Sequence, residues 1–197
     1  MFILILRWFT LGLWLFWLVV YWEGGRRIVG DIRQSVRAAN SYLDTGLMIA
    51  IALLSLVLLT TGLLISLGRL TVHPWFQTGW VALLGTFLTL VGMSGTFYCR
   101  HYLGRFWTAE AALQASHQVV DSGPYGVVRH PIYTAAWVMY FGTGLVFAIW
   151  WNWLACGLVM IAYMLKARYE DMFLAADLPG YPAYQQRVCY KLIPGVW

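Results

Sequence analysis

The sequence predicts an all-α, polytopic integral membrane protein with about five transmembrane helices, the last two forming a short helical hairpin. Of its 197 residues, 61% are hydrophobic and only 11% are charged, and the mean hydropathy is +0.67. Soluble domains are about 45–50% apolar and about 25% charged, whereas disordered chains are rich in charge and poor in aromatic residues. Composition therefore argues against both a soluble globule and a disordered chain.

Three apolar runs are long enough to be membrane spans, since the hydrocarbon core requires about 20 helical residues. They are residues 1–22, 45–67 and 77–98. The first is interrupted only by Arg7, and no small-residue cleavage site follows it, so we expect it to be retained rather than removed as a signal peptide. Pro74 disfavours helix at the preceding residue and predicts a break before the third span.

The last apolar region, residues 134–165, is too long for a single span. Its middle contains the tetrapeptide Trp-Trp-Asn-Trp at 150–153. Aromatic residues favour the membrane interface, and asparagine favours turns. The region therefore predicts two short helices, about 134–150 and 152–166, joined by a tight turn.

Five spans predict which loops share one side of the membrane. These are residues 23–44, residues 99–133 and the tail from 166, whereas residues 68–76 and the hairpin turn lie opposite with only Arg69. The eleven basic residues on the first side are Arg26, Arg27, Arg33, Arg37, Arg100, Arg105, Arg129, Lys166, Arg168, Arg187 and Lys191. Because Lys and Arg accumulate in cytoplasmic loops, this side is predicted to be cytosolic.

The formal net charge of +5 does not point to a nucleic-acid partner. The chain has no block of five or six basic residues, and its aromatic residues lie inside apolar runs. Cys99, Cys156 and Cys189 form neither a CxxC pair nor a Cys/His ligand spacing. We therefore expect reduced thiols and no structural metal.

The reactive side chains are concentrated in two polar stretches, residues 117–133 and 166–184. The topology brings both to the cytosolic face, at the two ends of the hairpin, and so predicts a pocket there. Arg129 and Arg168 are suited to anionic groups because guanidinium is a planar fork, and Glu170 is suited to a cationic group. A purely structural role remains open for His130, and membrane anchoring remains open for Lys166.

Residues 123–133, Gly-Pro-Tyr-Gly-Val-Val-Arg-His-Pro-Ile-Tyr, resemble the GxYxxxRHPxY signature of the isoprenylcysteine carboxyl methyltransferase family. That family lies within the wider group of phospholipid and isoprenylcysteine methyltransferases. The tail is also similar to the family's ending, with the sequence-ordered residues Glu170, Tyr181, Tyr184, Val188 and Pro194. The resemblance covers roughly residues 95–197, and the first two spans are not diagnostic.

The resemblance implies a helical membrane enzyme that binds S-adenosyl-L-methionine without a Rossmann domain. The apolar runs place three spans with their loops in residues 1–98, and the resemblance implies that residues 99–197, including the hairpin 134–166 and the tail, form the catalytic region. It implies a catalytic pair, a substrate-contacting arginine mapped to Arg168 and a cofactor-binding glutamate mapped to Glu170, with Lys166 as the alternative to the arginine. The other residues implied to surround the cofactor are His117, Gln118, Val119, Val120, Tyr125, His130, Pro131, Ile132 and Tyr133.

The function implied is methylation of the C-terminal carboxylate of a prenylated cysteine at the cytosolic membrane face. A C-terminal carboxyl group, with a pKa of about 3.5, is already ionised at neutral pH, so no general base is required. The expected partners are the lipidic substrate and membrane lipid. A methyltransferase acting on a lipid amine or thiol remains open, and so, less favourably, do a sterol-reductase-like enzyme and a non-enzymatic membrane scaffold.

Overall fold

The computed structural model describes residues 1–32, 37–38, 42–72, 78–108, 111–114 and 116–197. The described part is predominantly helical, as predicted, with one antiparallel pair of two-residue strands, in which Arg37 faces Leu113. Its α-helices are α1 (Phe2–Ile32), α2 (Tyr42–Ser66), α3 (Gly79–Leu103), α4 (Pro131–Phe147), α5 (Trp150–Asp177) and α6 (Tyr181–Arg187), and its strands are β1 (Arg37–Ala38) and β2 (Ala112–Leu113). The break predicted at Pro74 lies outside the described residues.

Three helical segments are long and apolar enough to cross a membrane: Phe2–Tyr21, Tyr42–Ser66 and Gly79–Phe106. They correspond to the three apolar runs identified in the sequence. Many of their large apolar side chains point outward, which suits contact with lipid rather than water. The chain is therefore an integral membrane protein. Helix α4 is apolar but shorter.

The hairpin turn is not at the predicted asparagine. Helix α4 ends at Phe147 and α5 begins at Trp150. Ala148 lies between them with φ 45°, and its N–H donates to the Gly144 carbonyl at 2.8 Å. Asn152 lies inside α5 and is completely buried. The turn predicted near 151 lies instead at residues 148–149, because burial of the apolar residues 147–149 outweighs the weak turn preference of asparagine.

Helix α5 extends to Asp177, well beyond the predicted end at 166. The polar residues 166–171 therefore lie on a continuous helix rather than in an irregular tail. Because neighbours on a helix surface are three or four residues apart, Lys166 and Glu170 lie on one face, as the sequence predicted.

Helices α3 and α4 pack most closely. A Cβ added at Gly92 would lie 2.6 Å from the Ala135 carbonyl oxygen, and one added at Gly85 would lie 2.6 Å from the Gly142 carbonyl oxygen. Small residues allow such close backbone approach in membrane helices. A hydrogen bond of 2.9 Å from Trp14 Nε1 to Thr143 Oγ1 also fixes α1 against α4. This packing fixes the position of the N-terminus of α4, where the two polar stretches meet.

Candidate active site

One cavity lies where the C-terminal ends of α3 and α5 meet the N-terminus of α4. The space inside it that a water-sized molecule can occupy is about 120 Å³. It is lined by Leu103, Phe106, Trp107, Thr108, Ala111, Ala112, His117, Gln118, Val119, Val120, Tyr125, Arg129, His130, Ile132, Tyr133, Glu170, Leu174, Leu178, Tyr181 and Tyr184. Every residue that the sequence assigned to cofactor binding lines it except Pro131, the buried first residue of α4.

Glu170 is the acidic residue of this cavity. Tyr133 Oη donates to Glu170 Oε1 at 2.5 Å, Lys166 Nζ lies 3.1 Å from the same oxygen, and His130 Nδ1 lies 3.4 Å from Oε2. Burial alone would raise the pKa of Glu170. The charge of Lys166 and the hydrogen bonds from His130 and Tyr133 outweigh burial and lower the pKa to about 2. Glu170 is therefore an anion at any physiological pH.

Asp171, the next residue, anchors the C-terminal segment. Arg129 donates to it from Nε at 3.1 Å and from Nη2 at 2.9 Å. Tyr181 Oη donates at 2.8 Å, and Lys191 Nζ forms an ion pair at 3.2 Å. Burial would raise the pKa of Asp171, but the hydrogen bonds from His130 and Arg129 hold it far below its usual range.

His130 lies between these two carboxylates. Its Nε2 is 3.1 Å from Asp171 Oδ1, and its ring stacks on Tyr133 with centroids 5.5 Å apart. Burial would lower the pKa of His130, but the hydrogen bonds to Asp171 and Glu170 raise it above its usual value. The backbone N–H of His130 also donates to the Lys191 carbonyl at 2.9 Å. His130 therefore both holds the C-terminal segment, through its backbone, and lines the cavity with its ring. These are the two roles that the sequence left open.

The two arginines predicted to contact substrate are placed differently. Arg129 borders the cavity, but its guanidinium already donates to Asp171 and to the carbonyls of Val188 and Cys189 at 2.6 and 2.9 Å. Arg168 is exposed, with its guanidinium 5.6 Å from the centre of the Trp197 ring, and it is not among the lining residues. The structure therefore does not bring Arg168 together with the other predicted site residues.

Aromatic rings form much of the remaining wall. The His117 ring stacks on Phe106 with centroids 4.7 Å apart. Tyr125 is held from two sides, because its hydroxyl donates to the Cys99 carbonyl at 3.2 Å and its own carbonyl accepts from Tyr184 Oη at 2.8 Å. Burial, with a smaller contribution from nearby Arg105, lowers the pKa of His117. This histidine is therefore neutral at physiological pH.

Sequence reasoning missed Asp44 and gave no site role to Lys191. Asp44, in the first turn of α2, is only 2% exposed and forms an ion pair with Lys166. One signal was available, because Asp44 is the acidic residue directly before an uncharged span. Lys191 carried no local signal, since its partner Asp171 lies twenty positions away and is reached only through the folded tail.

Comparison with known proteins identifies the family. Residues 80–178 match the family described as phospholipid methyltransferase, which covers half of the chain. The chain belongs to this family of membrane methyltransferases, which lies in the same group as the isoprenylcysteine carboxyl methyltransferases, as the residue pattern predicted. No curated protein matches the chain.

Methyltransferases of this family generally use S-adenosylmethionine, and the cavity has features suited to it. That donor combines a flat adenine, a ribose and a positively charged sulfonium. The cavity combines aromatic walls with an anionic carboxylate in Glu170. No group of three or more His, Cys, Asp or Glu side chains arranged to hold a metal ion occurs among the described residues.

Proposed function

We propose that this protein transfers a methyl group from S-adenosylmethionine to the C-terminal carboxylate of a prenylated cysteine at the cytosolic membrane face. The observation that carries the proposal is the cavity itself. It brings residues of the 123–133 pattern together with Glu170. It also lies at the ends of helices that are apolar enough to span or enter a membrane. This position suits a water-soluble donor and an acceptor anchored in lipid.

In this proposal, Glu170 and the aromatic wall bind the donor, which supplies an electrophilic methyl group. The cofactor-contacting set is the one the sequence identified, with Pro131 supporting the wall from the first turn of α4 rather than lining it. Tyr133 and His130 orient the Glu170 carboxylate through their hydrogen bonds. Catalysis then comes mainly from positioning and from exclusion of water.

The titration states of Glu170 and His130 favour an acceptor that is already ionised, whereas the neutral His117 of the cavity wall is the one histidine there suited to act as a base. Glu170, with its pKa lowered to about 2, is a very weak base. His130 has a raised pKa and lies between two carboxylates, so its protonated form is favoured. Neither group is suited to removing a proton from the acceptor at neutral pH. A carboxylate needs no such removal, whereas a protonated lipid amine does.

We assign the cation for the acceptor carboxylate to Lys166 rather than to Arg168, although its side chain is 1% exposed and does not line the cavity. In this scheme the ammonium, which is paired with Asp44 and Glu170, would exchange Glu170 for the acceptor carboxylate. Lys166 shares the α5 face of Glu170 and lies 3.1 Å from it. Arg168 is two residues further along and projects to the exposed side of the helix. Arg129, already bound to Asp171, supports the wall in this scheme and is the less favoured candidate for a direct substrate contact.

We further propose that α4 and α5 enter the bilayer as a hairpin, which would give five membrane helices with residues 99–197 as the catalytic region. Two features support this proposal: α4 is apolar throughout, and basic residues are concentrated in alternate loops. The same asymmetry of charge supports a cytosolic active site.

A lipid amine is the second candidate acceptor, and one observation favours it. The guanidinium of Arg129 and the ammonium of Lys166 are already paired, and the guanidinium of Arg168 lies outside the cavity. A carboxylate would therefore find no unpaired lysine or arginine in the described wall. An amine acceptor would require a proton acceptor other than Glu170. Acceptor competition separates the two candidates.

The test uses the purified full-length protein in lipid nanodiscs with methyl-labelled S-adenosylmethionine. A farnesylated cysteine derivative, phosphatidylethanolamine and a lipid thiol are offered separately. We expect a base-labile labelled methyl ester from the prenylcysteine alone. Labelled lipid amine without ester would replace the carboxylate acceptor by the amine, and failure of S-adenosylhomocysteine to bind would refute the proposed donor.

Glu170→Gln provides the matched test of the donor site, with Asp121→Asn as its control. Both substitutions convert one acid to its amide, but Asp121 forms an exposed ion pair with Arg187. We expect the Glu170 variant to lose at least about tenfold in affinity for S-adenosylhomocysteine, as for a lost charged interaction. Equal affinity of the two variants for S-adenosylhomocysteine would show that Glu170 does not contribute to donor binding.

A further inference from the structure

Asp44 is a buried acid without a place in the scheme so far. It lies in the first turn of α2, 122 residues before Lys166, and is 2% exposed. Burying a carboxylate is costly unless charge and hydrogen bonds compensate for it. The residues that contact Asp44 therefore indicate its role.

Each oxygen of Asp44 has a different partner. Oδ1 binds the Lys166 ammonium, and Oδ2 accepts the backbone N–H of Ala111 at 2.8 Å. Lys166 in turn pairs with Glu170, and Ala111 lines the cavity. Asp44 is not a lining residue. It contacts one wall of the cavity directly, through Ala111, and the other through Lys166 and Glu170, without facing the cavity itself.

The wall on the Ala111 side has little regular secondary structure. It begins with a bend at Ala111 and continues into β2, only two residues long and paired with the equally short β1. Such a short ladder has little intrinsic stability. The hydrogen bond from Ala111 to Asp44 is a charge-assisted tie to the helical bundle, which the ladder alone does not provide.

The same carboxylate also balances Lys166. Lys166 lies between Asp44 and Glu170, with its side chain 1% exposed. Without Asp44, the buried ammonium keeps only the Glu170 carboxylate and the Ala111 N–H loses its acceptor. Both losses are expected to alter the position of Glu170 relative to the opposite wall.

We propose that Asp44 is a positioning residue: by binding Lys166 and the Ala111 amide at once, it holds the segment beginning at Ala111 against the part of α5 that carries Glu170. Its effect on the methyl donor rests on the proposed function. Its effect on the segment does not, because that contact is internal to the chain.

The first measurement is hydrogen–deuterium exchange of the ligand-free protein in nanodiscs. Asp44→Leu removes both contacts, whereas Asp44→Asn keeps an oxygen for the Ala111 N–H. We expect exchange in peptides covering 111–120 to accelerate about tenfold in the leucine variant and less in the asparagine variant. Unchanged exchange in Asp44→Leu, or equal acceleration in the exposed control Asp121→Asn, overturns the proposal.

The second measurement is a double-mutant cycle on the Kd of S-adenosylhomocysteine. Asp44→Asn should weaken binding about tenfold in the wild-type background. It should have little further effect in Lys166→Met, because its path to Glu170 is then already broken. Additive losses overturn the coupling. If the wild type does not bind the ligand, the donor proposal fails, and the exchange experiment still decides whether Asp44 holds the wall.

Discussion

Replacing Asp171 by asparagine should loosen the C-terminal segment from the bundle. The carboxylate binds Arg129, His130, Tyr181 and Lys191, which lie on three separate parts of the chain. Asparagine keeps the size of the side chain but removes the charge and one acceptor oxygen. The Arg129 guanidinium would then remain buried without its anion.

The expected magnitude follows from burial. The side chains of Asp171 and Arg129 are 4% and 7% exposed, and removing one partner of a buried ion pair costs about 3–5 kcal/mol. The exposed pair of Asp121 and Arg187, 48% and 59% exposed, has a comparable distance of 2.6 Å but is worth at most about 1 kcal/mol. Asp121→Asn is therefore a matched control with the same chemical change.

The assay is amide exchange in peptides covering α6 and residues 188–197. A loss of about 3 kcal/mol in local stability corresponds to exchange more than about a hundredfold faster. Peptides from α1 should be unaffected by either variant. Similar, small effects of Asp171→Asn and Asp121→Asn would refute the reasoning that burial, rather than pairing alone, sets the strength of this contact.

Three further predictions concern the cavity. The stability contributed by protonated His130, whose pKa is raised above 6.5, is present below about pH 6.5 and lost as the pH rises through the raised value. The wild-type Tm should therefore fall more between pH 6 and pH 9 than that of His130→Gln, and parallel profiles would contradict this. Tyr133→Phe, which deletes the donor to Glu170, should weaken S-adenosylhomocysteine binding about tenfold by calorimetry, while exposed Tyr190→Phe should not. Lys166→Met should raise the KM for prenylcysteine more than Arg168→Ala does. The reverse order would indicate Arg168 as the residue that contacts the substrate carboxylate.

The three predicted spans agree with the structure because they depend on local information. A run of about 20 apolar residues has a helix as its simplest solution in a bilayer. Helix α4 opens at Pro131, three residues before the helix start predicted at about 134, and proline is well tolerated at this first position. The residues of the 117–133 stretch follow one another along the chain, so their joint placement needs only one turn at Gly123–Gly126.

The hairpin shows where local information fails. Asparagine at 152 suggested the turn, but the structure buries that side chain within α5 and turns at 148–149. The turn position is set by which apolar residues fill the contact between α4 and its neighbours. That contact involves residues far apart in sequence, so a window of neighbouring residues does not contain it.

By itself, the sequence determined the class of protein and its apolar helices, because composition and short-range spacing decide these. Its resemblance to a known family implied the site residues that were named in advance. Only the tertiary structure decided which charges act there. It commits Arg129 to Asp171, exposes Arg168 and brings Asp44 to Lys166 across the bundle. The reason is physical: a buried charge is stabilised by whichever opposite charge the fold brings within a few ångströms, and that partner is fixed by packing rather than by proximity along the chain.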